Sequence, residues 1–504
     1  MAVKQELNTT FTKQMRTKSF FLFLMHYLFM IVIIGILLIA DNFTYVTQNL
    51  KTKTGDYVYA AVSIFLLTII LYFYFLFENK SVLASGKMIG LLFTVFDLYI
   101  IASFLIGEMV NIYARPVAFV ALMMFVLIGR KEAIFLNVVS ALLMFIVDTF
   151  TGAEAVSNEY YSSLMISFSA GMVAIFLCEK AKTRFLIMLL GLAIVFPIDI
   201  IIAMLELSDV LRAGGSFAMF MASETLFMHM GYGVFGGVTS TVFFLALLPV
   251  FEIVFNCLTV FRLRELTSYD AKLLKKLKLE APGTYNHVVM VAQLAEASAA
   301  AIGENVDYAR AAALYHDVGK LHNPEHFTEN QGDYNLHDEL TPELSADIIR
   351  SHAKDGYSLI RNSHLPEFLA DIALQHHGTM PIRYFYAKAL KLTDGELNIE
   401  DFSYLGPKPQ TKLAAIIMIA DAAEAAVRAT NSRNPESAEK AIRMVIEERM
   451  DLEQFSECDI TMVDLTKIRL ALVNCLTGVY HHRIKYPNIK YKRSEDGKTK
   501  GENV

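Results

Sequence analysis

Long apolar runs fill the first half of this 504-residue chain and limit what that half can fold into. A helix that crosses a bilayer needs roughly 20 mostly apolar residues. Eight stretches before Phe261 meet that need: Ser19–Ala40, Tyr57–Phe77, Lys87–Ile106, Met109–Gly129, Ala133–Phe150, Tyr161–Cys178, Phe185–Leu205 and His229–Thr259. Such a chain is expected to be an integral membrane protein. Composition agrees, since 54% of its residues are hydrophobic where soluble domains run at roughly 45–50%.

The connecting segments test the count of eight. Lys13, Arg16 and Lys18 precede the first run; Lys80 and Lys87, then Arg130 and Lys131, then Lys180, Lys182 and Arg184 follow every second one. The other connections carry Asp148, Glu154 and Glu159, or Glu206, Asp209 and Glu224, with few basic residues. Lys and Arg concentrate on the cytoplasmic side, so this alternation predicts two cytosolic termini and an even number of crossings. The first run is longer than the apolar core of a cleaved signal peptide and lacks a small-residue cleavage site. Asp97, Asp199 and Glu252 lie in or at the edge of spans, where an ionisable group is costly; they read as polar contacts within the helix bundle. Pro197 marks an expected kink or break.

Past Phe261 the pattern changes to amphipathic helices of ordinary charge density. Arg262–Glu280 is a basic connector whose Lys272, Lys275, Lys276 and Lys278 suit a solvated helix face more than a lipid contact. From Ala281 to about Pro487, apolar residues recur every three or four positions, predicting one all-α domain, followed by a basic tail over 488–504. The fold class is thus all-α: about eight spans over 19–260, then a helical cytosolic domain. A net charge of -6 gives no field that would draw a nucleic-acid polymer. Cys178, Cys257, Cys458 and Cys475 are too scattered for a zinc knuckle or a disulfide framework.

The chemistry sits in the helical domain. His287, His316, His352, His376 and His377 cluster there with Asp317 and Asp421. Imidazole mixed with carboxylate, without cysteine pairs, suits divalent metals such as Mn, Fe or Zn rather than a structural zinc site. So many ligands leave room for two ions, and a two-metal site can stabilise both the attacking and the leaving oxygen of a phosphoryl transfer. Adjacent residues project about 100° apart on a helix, so His316–Asp317 and His376–His377 need a wide site if both members of each pair are to reach it.

In order along the chain, Thr284–His287, His316–Lys320, His352, His376–Thr379 and Ala420–Asp421 resemble the HD phosphohydrolase superfamily at every ligand step. More narrowly, Glu280–Ala297, Tyr315–Gln331, Leu340–Ile360, His376–Ala389, Ala420–Arg428 and the preceding Leu247–Glu252 resemble the seven-transmembrane HD family of bacterial cyclic di-AMP phosphodiesterases. The resemblance implies a multi-pass protein of the bacterial cell membrane that opens cyclic di-AMP to linear pApA using two divalent ions, Mn or Fe. It implies one ion held by His287, His316, Asp317 and Asp421, and a second, bridged by Asp317, held by His352, His376 and His377. Lys320 would face the phosphate, where its charge offsets what develops on the phosphoryl oxygens. Gly319 would permit a tight helix end or close packing.

Lys320, Gly378, Thr379, Tyr384, Tyr386 and Lys388 are the candidate substrate contacts; for the two tyrosines, core packing is an equal alternative. Expected partners are a cyclic dinucleotide and the lipid bilayer, with self-association left open. A receptor that binds a nucleotide without turnover is the competing reading, and complete ligands favour the enzyme. His337–Asp338 is a second such dipeptide, in a loop-like stretch without the following Gly-Lys, and is expected to be a helix start or surface element. His322, His326, His481 and His482 are not assigned as ligands. Two departures from the family stand out. Asp41–Asp56 is a short loop where members carry a large extracellular domain, and Met380, Pro381 and Ala422 replace residues at the pocket edge.

Overall fold

The computed structural model describes residues 11–151, 158–181, 183–332, 334–392, 395–430, 435–479, 490–493 and 499–502. Glu154, Lys182, His481, His482 and the domain end proposed at Pro487 lie outside the described residues. The chain separates into two compact units, Met1–Glu265 and Leu266–Val504.

The first unit contains α1 (Lys13–Glu78), α2 (Lys80–Ala84), α3 (Gly86–Met109), α4 (Phe119–Leu127), α5 (Arg130–Thr151), α6 (Asn158–Cys178), α7 (Arg184–Arg212), α8 (Phe217–Met221) and α9 (Glu224–Val254), and α10 (Val260–Leu266) begins in it. Among the described residues, seven helical stretches, the two arms of α1 among them, are long and apolar enough to cross a membrane. As one straight rod, the 66 residues of α1 would run about 99 Å. Instead the Tyr27 hydroxyl donates to the Ala61 carbonyl (3.0 Å) and the Tyr72 hydroxyl to that of Arg16 (3.1 Å), so the helix doubles back into two antiparallel arms. Those arms are the first two expected spans. The backbone between them is helical where a short loop was expected.

The fourth expected span, Met109–Gly129, differs most. It holds a 3-10 turn at Ile112–Ala114, an extended Arg115 and the nine-residue α4, about 14 Å long and too short to cross alone. Its neighbours show that the segment as a whole nevertheless traverses the unit. At its far end, Glu132 accepts from Asn79 (2.7 Å) and Arg130 from its own side reaches Glu179 (2.8 Å), which sets it among the ends of α1 and α6. At its near end, the Tyr113 ring packs on His229, itself 2.6 Å from Glu206, among the ends of α9 and α7. With this broken segment set beside the seven long apolar stretches, each of the eight expected spans has a counterpart among the described residues. Irregular backbone at membrane depth survives only when protein covers it, and every residue of α4 is buried. Ser240 accepts from the Ala118 N–H (3.2 Å), while Thr239 donates to the Ala114 carbonyl (3.4 Å). Arg115 and Asp148, both buried, form a two-pronged ion pair at 2.6 and 3.0 Å.

Of the three acids read as polar contacts, Glu252 is held by Thr259 and by Arg184 at 3.8 Å. Asp97 and Asp199 each keep a buried oxygen without a hydrogen-bond partner among the described residues. Pro197 breaks nothing, since α7 runs through it.

The second unit is α11 (Lys272–Glu280), α12 (Pro282–Ile302), α13 (Val306–Tyr315), α14 (Pro342–Asn362), α15 (Glu367–Gln375), α16 (Arg383–Leu390), α17 (Lys412–Ala429), α18 (Pro435–Asp451) and α19 (Met462–Val479), with a ribbon of β1 (Lys490–Arg493) and β2 (Thr499–Glu502) in the tail. The expected connector belongs to this unit from Leu266 on. Leu273, Leu274 and Leu277 of α11 are buried while Lys272, Lys275, Lys276 and Lys278 stay exposed, so its apolar stripe seals the domain and its charges face water. Small residues let the central helices approach closely: Ala292, Ala295 and Ala299 on α12 and Ala414, Ala415, Ala420 and Ala423 on α17 are buried.

Candidate metal centre

Five short pieces of the second unit converge on one point. Pro282 opens α12 at a position where its missing N–H costs nothing, and His287 follows within the second turn. α13 ends at Tyr315, so His316 occupies its C-cap and Asp317 starts a 3-10 turn, Val318–His322. His376 likewise caps α15. The two adjacent pairs thus solve the expected 100° problem by leaving the helix. Gly319 presses this turn against α14, and a Cβ there would sit 1.9 Å from the His352 carbonyl oxygen; any side chain would force the turn away from His352. Asp421 stands in the middle of α17.

Three overlapping groups of side chains place one ligand atom each within 4.8 Å of one another: His287, His316 and Asp317; His352, His376 and His377; and His316, His376 and Asp421. Asp317 sits between the first two. Its Oδ2 is 3.6 Å from His287 Nε2 and 3.4 Å from His316 Nε2, while its Oδ1 is 3.3 Å from His352 Nε2 and 3.7 Å from His376 Nε2. Asp421 lies 3.0 Å from His287 Nε2 and 3.8 Å from His377 Nδ1.

The outer ring nitrogens are already committed. His316, His352 and His376 direct Nδ1 to the carbonyls of Ala313 (2.6 Å), Ile349 (2.6 Å) and Ala373 (2.8 Å), each three residues back. His287 Nδ1 faces Glu424 at 2.9 Å. A carbonyl can only accept, so Nδ1 carries the proton and the Nε2 lone pair points inward, the arrangement by which outer partners orient metal-bound histidines. His316 Nε2 and Asp317 Oδ1 are buried without a hydrogen bond among the described residues, a costly state unless a cation satisfies them. The residues present therefore fit a pair of divalent ions.

Charge agrees with that fit. Burial, then the neighbouring histidines, keep His376 neutral, its pKa lowered to about 3, and His352 and His377 are also pushed down. Burial opposes ionisation of Asp317, but Lys320 and His316 override it and hold its carboxyl well below the usual range. His287 differs: burial would lower it, yet Asp421 and Glu424 raise it to about 10.

Lys320 Nζ lies 2.7 Å from Asp317 Oδ2 and 2.8 Å from Glu329 Oε1. The remaining expected substrate contacts are dispersed. Gly378 adopts φ +52, a left-handed turn that glycine tolerates without strain, and it carries the chain past His377. Thr379 hydrogen-bonds Gln454. Tyr386 donates to the Leu397 carbonyl (3.3 Å) and packs on Phe402, so core packing describes it; Tyr384 is exposed. Lys388 pairs with Asp338 at 3.6 Å and reaches the His337 carbonyl. His337 was expected at a helix start or on the surface. It is buried instead, in a 3-10 turn, facing the His326 carbonyl and the Phe385 ring, outside all three ligand groups.

Three neighbours escaped the sequence reading. Glu424 was visible as the carboxylate three residues after Asp421, one turn along the same helix. Glu329 and Tyr404 gave no local signal. Tyr404 stacks on His377 (4.2 Å between centroids, 28°) and meets the edge of His352; it is delivered by a bridge between Pro381 and Ser403.

Comparison with known proteins gives the same division. Residues 284–426 match the model of the HD domain, and residues 56–259 match that of the 7TM receptor with intracellular HD hydrolase. The cyclic-di-AMP phosphodiesterase PgpH of Bacillus subtilis is 36% identical over 86% of this chain and 60% of its own length. That of Listeria monocytogenes is 36% identical over 86% and 59%. The chain belongs to the 7TM-HD hydrolase family. It spans about three fifths of the length of these relatives. A crystal structure of the Listeria PgpH HD domain in complex with cyclic-di-AMP is 49% identical, covering 42% of this chain and 99% of that one, with a TM-score of 0.41. An uncharacterized protein of Synechocystis is 33% identical over 66% of this chain and 41% of its own length.

Proposed function

We propose that this chain is a membrane-anchored phosphodiesterase that opens cyclic di-AMP to linear pApA, with its HD domain and both termini in the cytosol. The observation that carries the reaction class is the inward set of Nε2 lone pairs around Asp317, two of whose atoms, His316 Nε2 and Asp317 Oδ1, have no partner of their own. His287, His316, Asp317 and Asp421 would hold one divalent ion and His352, His376 and His377 the other, Asp317 bridging; Mn and Fe suit this mixed imidazole and carboxylate set. When bound, the ions supply a water nucleophile of lowered pKa and stabilisation of the phosphoryl oxygens.

The protein's own groups do the rest. The carbonyls of Ala313, Ile349 and Ala373 and the Glu424 carboxylate fix the four imidazoles they touch. Lys320, protonated, offers an ammonium beside Asp317, where a phosphodiester oxygen would gain negative charge. Tyr404 covers His377 and narrows access of water. The choice of cyclic di-AMP rests on the named activity of the two relatives. Incubation of the purified chain with cyclic di-AMP and Mn tests the reading: pApA should form and chelator should stop it, whereas no product from metal-loaded, folded protein would leave a nucleotide-binding receptor.

A further inference from the structure

Lys320 has two carboxylates, and only one of them is free of other duties. Asp317 takes the ammonium at 2.7 Å but is also the carboxylate shared by four imidazoles. Two divalent ions at its oxygens would repel a neighbouring ammonium, since like charges a few ångströms apart in a buried site interact strongly. Glu329 lies on the other side. Its Oε1 accepts from Lys320 Nζ at 2.8 Å and from Thr284 Oγ1 at 3.0 Å, and it belongs to none of the ligand groups.

The turn carrying Glu329 is fastened to the first turn of α12. Asn330 Oδ1 accepts from the Thr284 N–H (3.0 Å), and its amide donates to Thr284 Oγ1 (2.9 Å) and to the Pro324 carbonyl (3.2 Å). Gly283 allows the approach, because a Cβ there would lie 1.9 Å from the Glu329 carbonyl oxygen. The same α12 carries His287 four residues on, so the anchor of Glu329 and a metal-facing imidazole share one rigid helix.

We propose that Glu329 is the positioning residue for Lys320: it keeps the ammonium beside Asp317 once the carboxylate of Asp317 is shared with metal. The inference rests on the phosphodiesterase reading and on Lys320 serving the phosphate. Lys320 has three N–H bonds; Asp317 and Glu329 fix two directions and leave the third for a phosphoryl oxygen. Glu329 touches neither substrate nor metal in this role.

The test is a double-mutant cycle on the full-length, detergent-solubilised chain with Mn, comparing Glu329→Gln, Lys320→Ala and the double variant. Glu329→Gln should lower kcat for cyclic di-AMP about tenfold to a hundredfold with KM changed less than threefold. The double variant should be no slower than Lys320→Ala alone. Two readouts besides turnover separate positioning from structure: bound metal per chain, and the melting temperature of the metal-free protein, both expected within error of wild type for Glu329→Gln. Thr284→Val, which removes the hydroxyl's bonds to Glu329 and to the Asn330 amide but leaves Glu329 beside Lys320, should cost kcat less than threefold. Independent, multiplicative losses in the double variant, or loss of metal in Glu329→Gln, would overturn the inference while leaving the phosphodiesterase standing. An inactive wild type would instead remove the reading beneath it.

Discussion

His352 Nε2 and His376 Nε2 face each other at 3.2 Å although the Nδ1 of each is already engaged by a backbone carbonyl. Two unprotonated nitrogens cannot hydrogen-bond each other, so this contact costs free energy until a cation lies between or beside them. Metal removal should therefore destabilise the second unit. A ligand present at a hundred times its dissociation constant adds about 2.7 kcal/mol, so chelation should lower the melting temperature by several degrees and added Mn should restore it. Identical melting curves with and without metal would remove the ion from the account.

Metal affinity should rise with pH. The pKa of His287 is raised to about 10, above the ordinary value near 6.5, so below pH 10 the metal-free protein holds a proton there that an ion must displace. His352, His376 and His377 are shifted the other way and release none. Between about pH 7 and 10, affinity should climb by up to tenfold per unit. Calorimetric metal titrations across that range would show it, and a flat profile would mean that Asp421 and Glu424 do not protonate His287.

Asp317→Ala should abolish turnover by several orders of magnitude, because it removes the carboxylate that stands between the two histidine groups and an anion from Lys320. His337→Ala should change kcat by less than a few fold. That imidazole packs on Phe385, and its loss should appear in melting temperature. Equal losses of activity in two folded variants would show the wrong dipeptide had been chosen.

The two histidine-led dipeptides show how far the sequence could be read. The clustering of these histidines and aspartates was legible because metal chemistry restricts residue type, and periodicity placed them on separate helices. That His316 and His376 sit at helix ends was not legible: their pairs turn inward through the 3-10 geometry of Val318–His322 and the positive φ of Gly378, which tertiary packing decides. Where Tyr384, Tyr386 and Lys388 would point was not legible for a related reason, since aromatic residues at helical spacing serve a core as readily as a ligand: Tyr386 packs on Phe402 and Tyr384 is exposed. In the first unit, hydropathy marked the apolar runs that form seven long helical stretches among the described residues, but it cannot register a break. Tyr113–Leu127 is apolar throughout apart from Arg115, and only the partners Ser240 and Asp148 disclose its irregular backbone.

The proposed orientation places the side bearing Asn79, Arg130 and Glu179 in the cytosol, because basic residues gather there. In a cysteine-labelling series on intact cells, Lys131→Cys should stay dark to an impermeant maleimide and Asp56→Cys should label. Strong external labelling at position 131 would invert the membrane unit or break the alternation through α4.

The most direct test of the central claim is a competition assay in which the purified, Mn-loaded chain receives cyclic di-AMP, cyclic di-GMP and a mononucleotide cyclic phosphate at equal concentration. Nucleobase choice depends on pocket contacts, and Met380, Pro381 and Ala422 lie where this chain departs from its family. The account predicts that cyclic di-AMP disappears first and that linear pApA accumulates, with kcat/KM at least tenfold above that for cyclic di-GMP. Equal or faster loss of cyclic di-GMP would contradict the substrate assignment, and turnover of none of the three by folded, metal-loaded protein would contradict the phosphodiesterase itself.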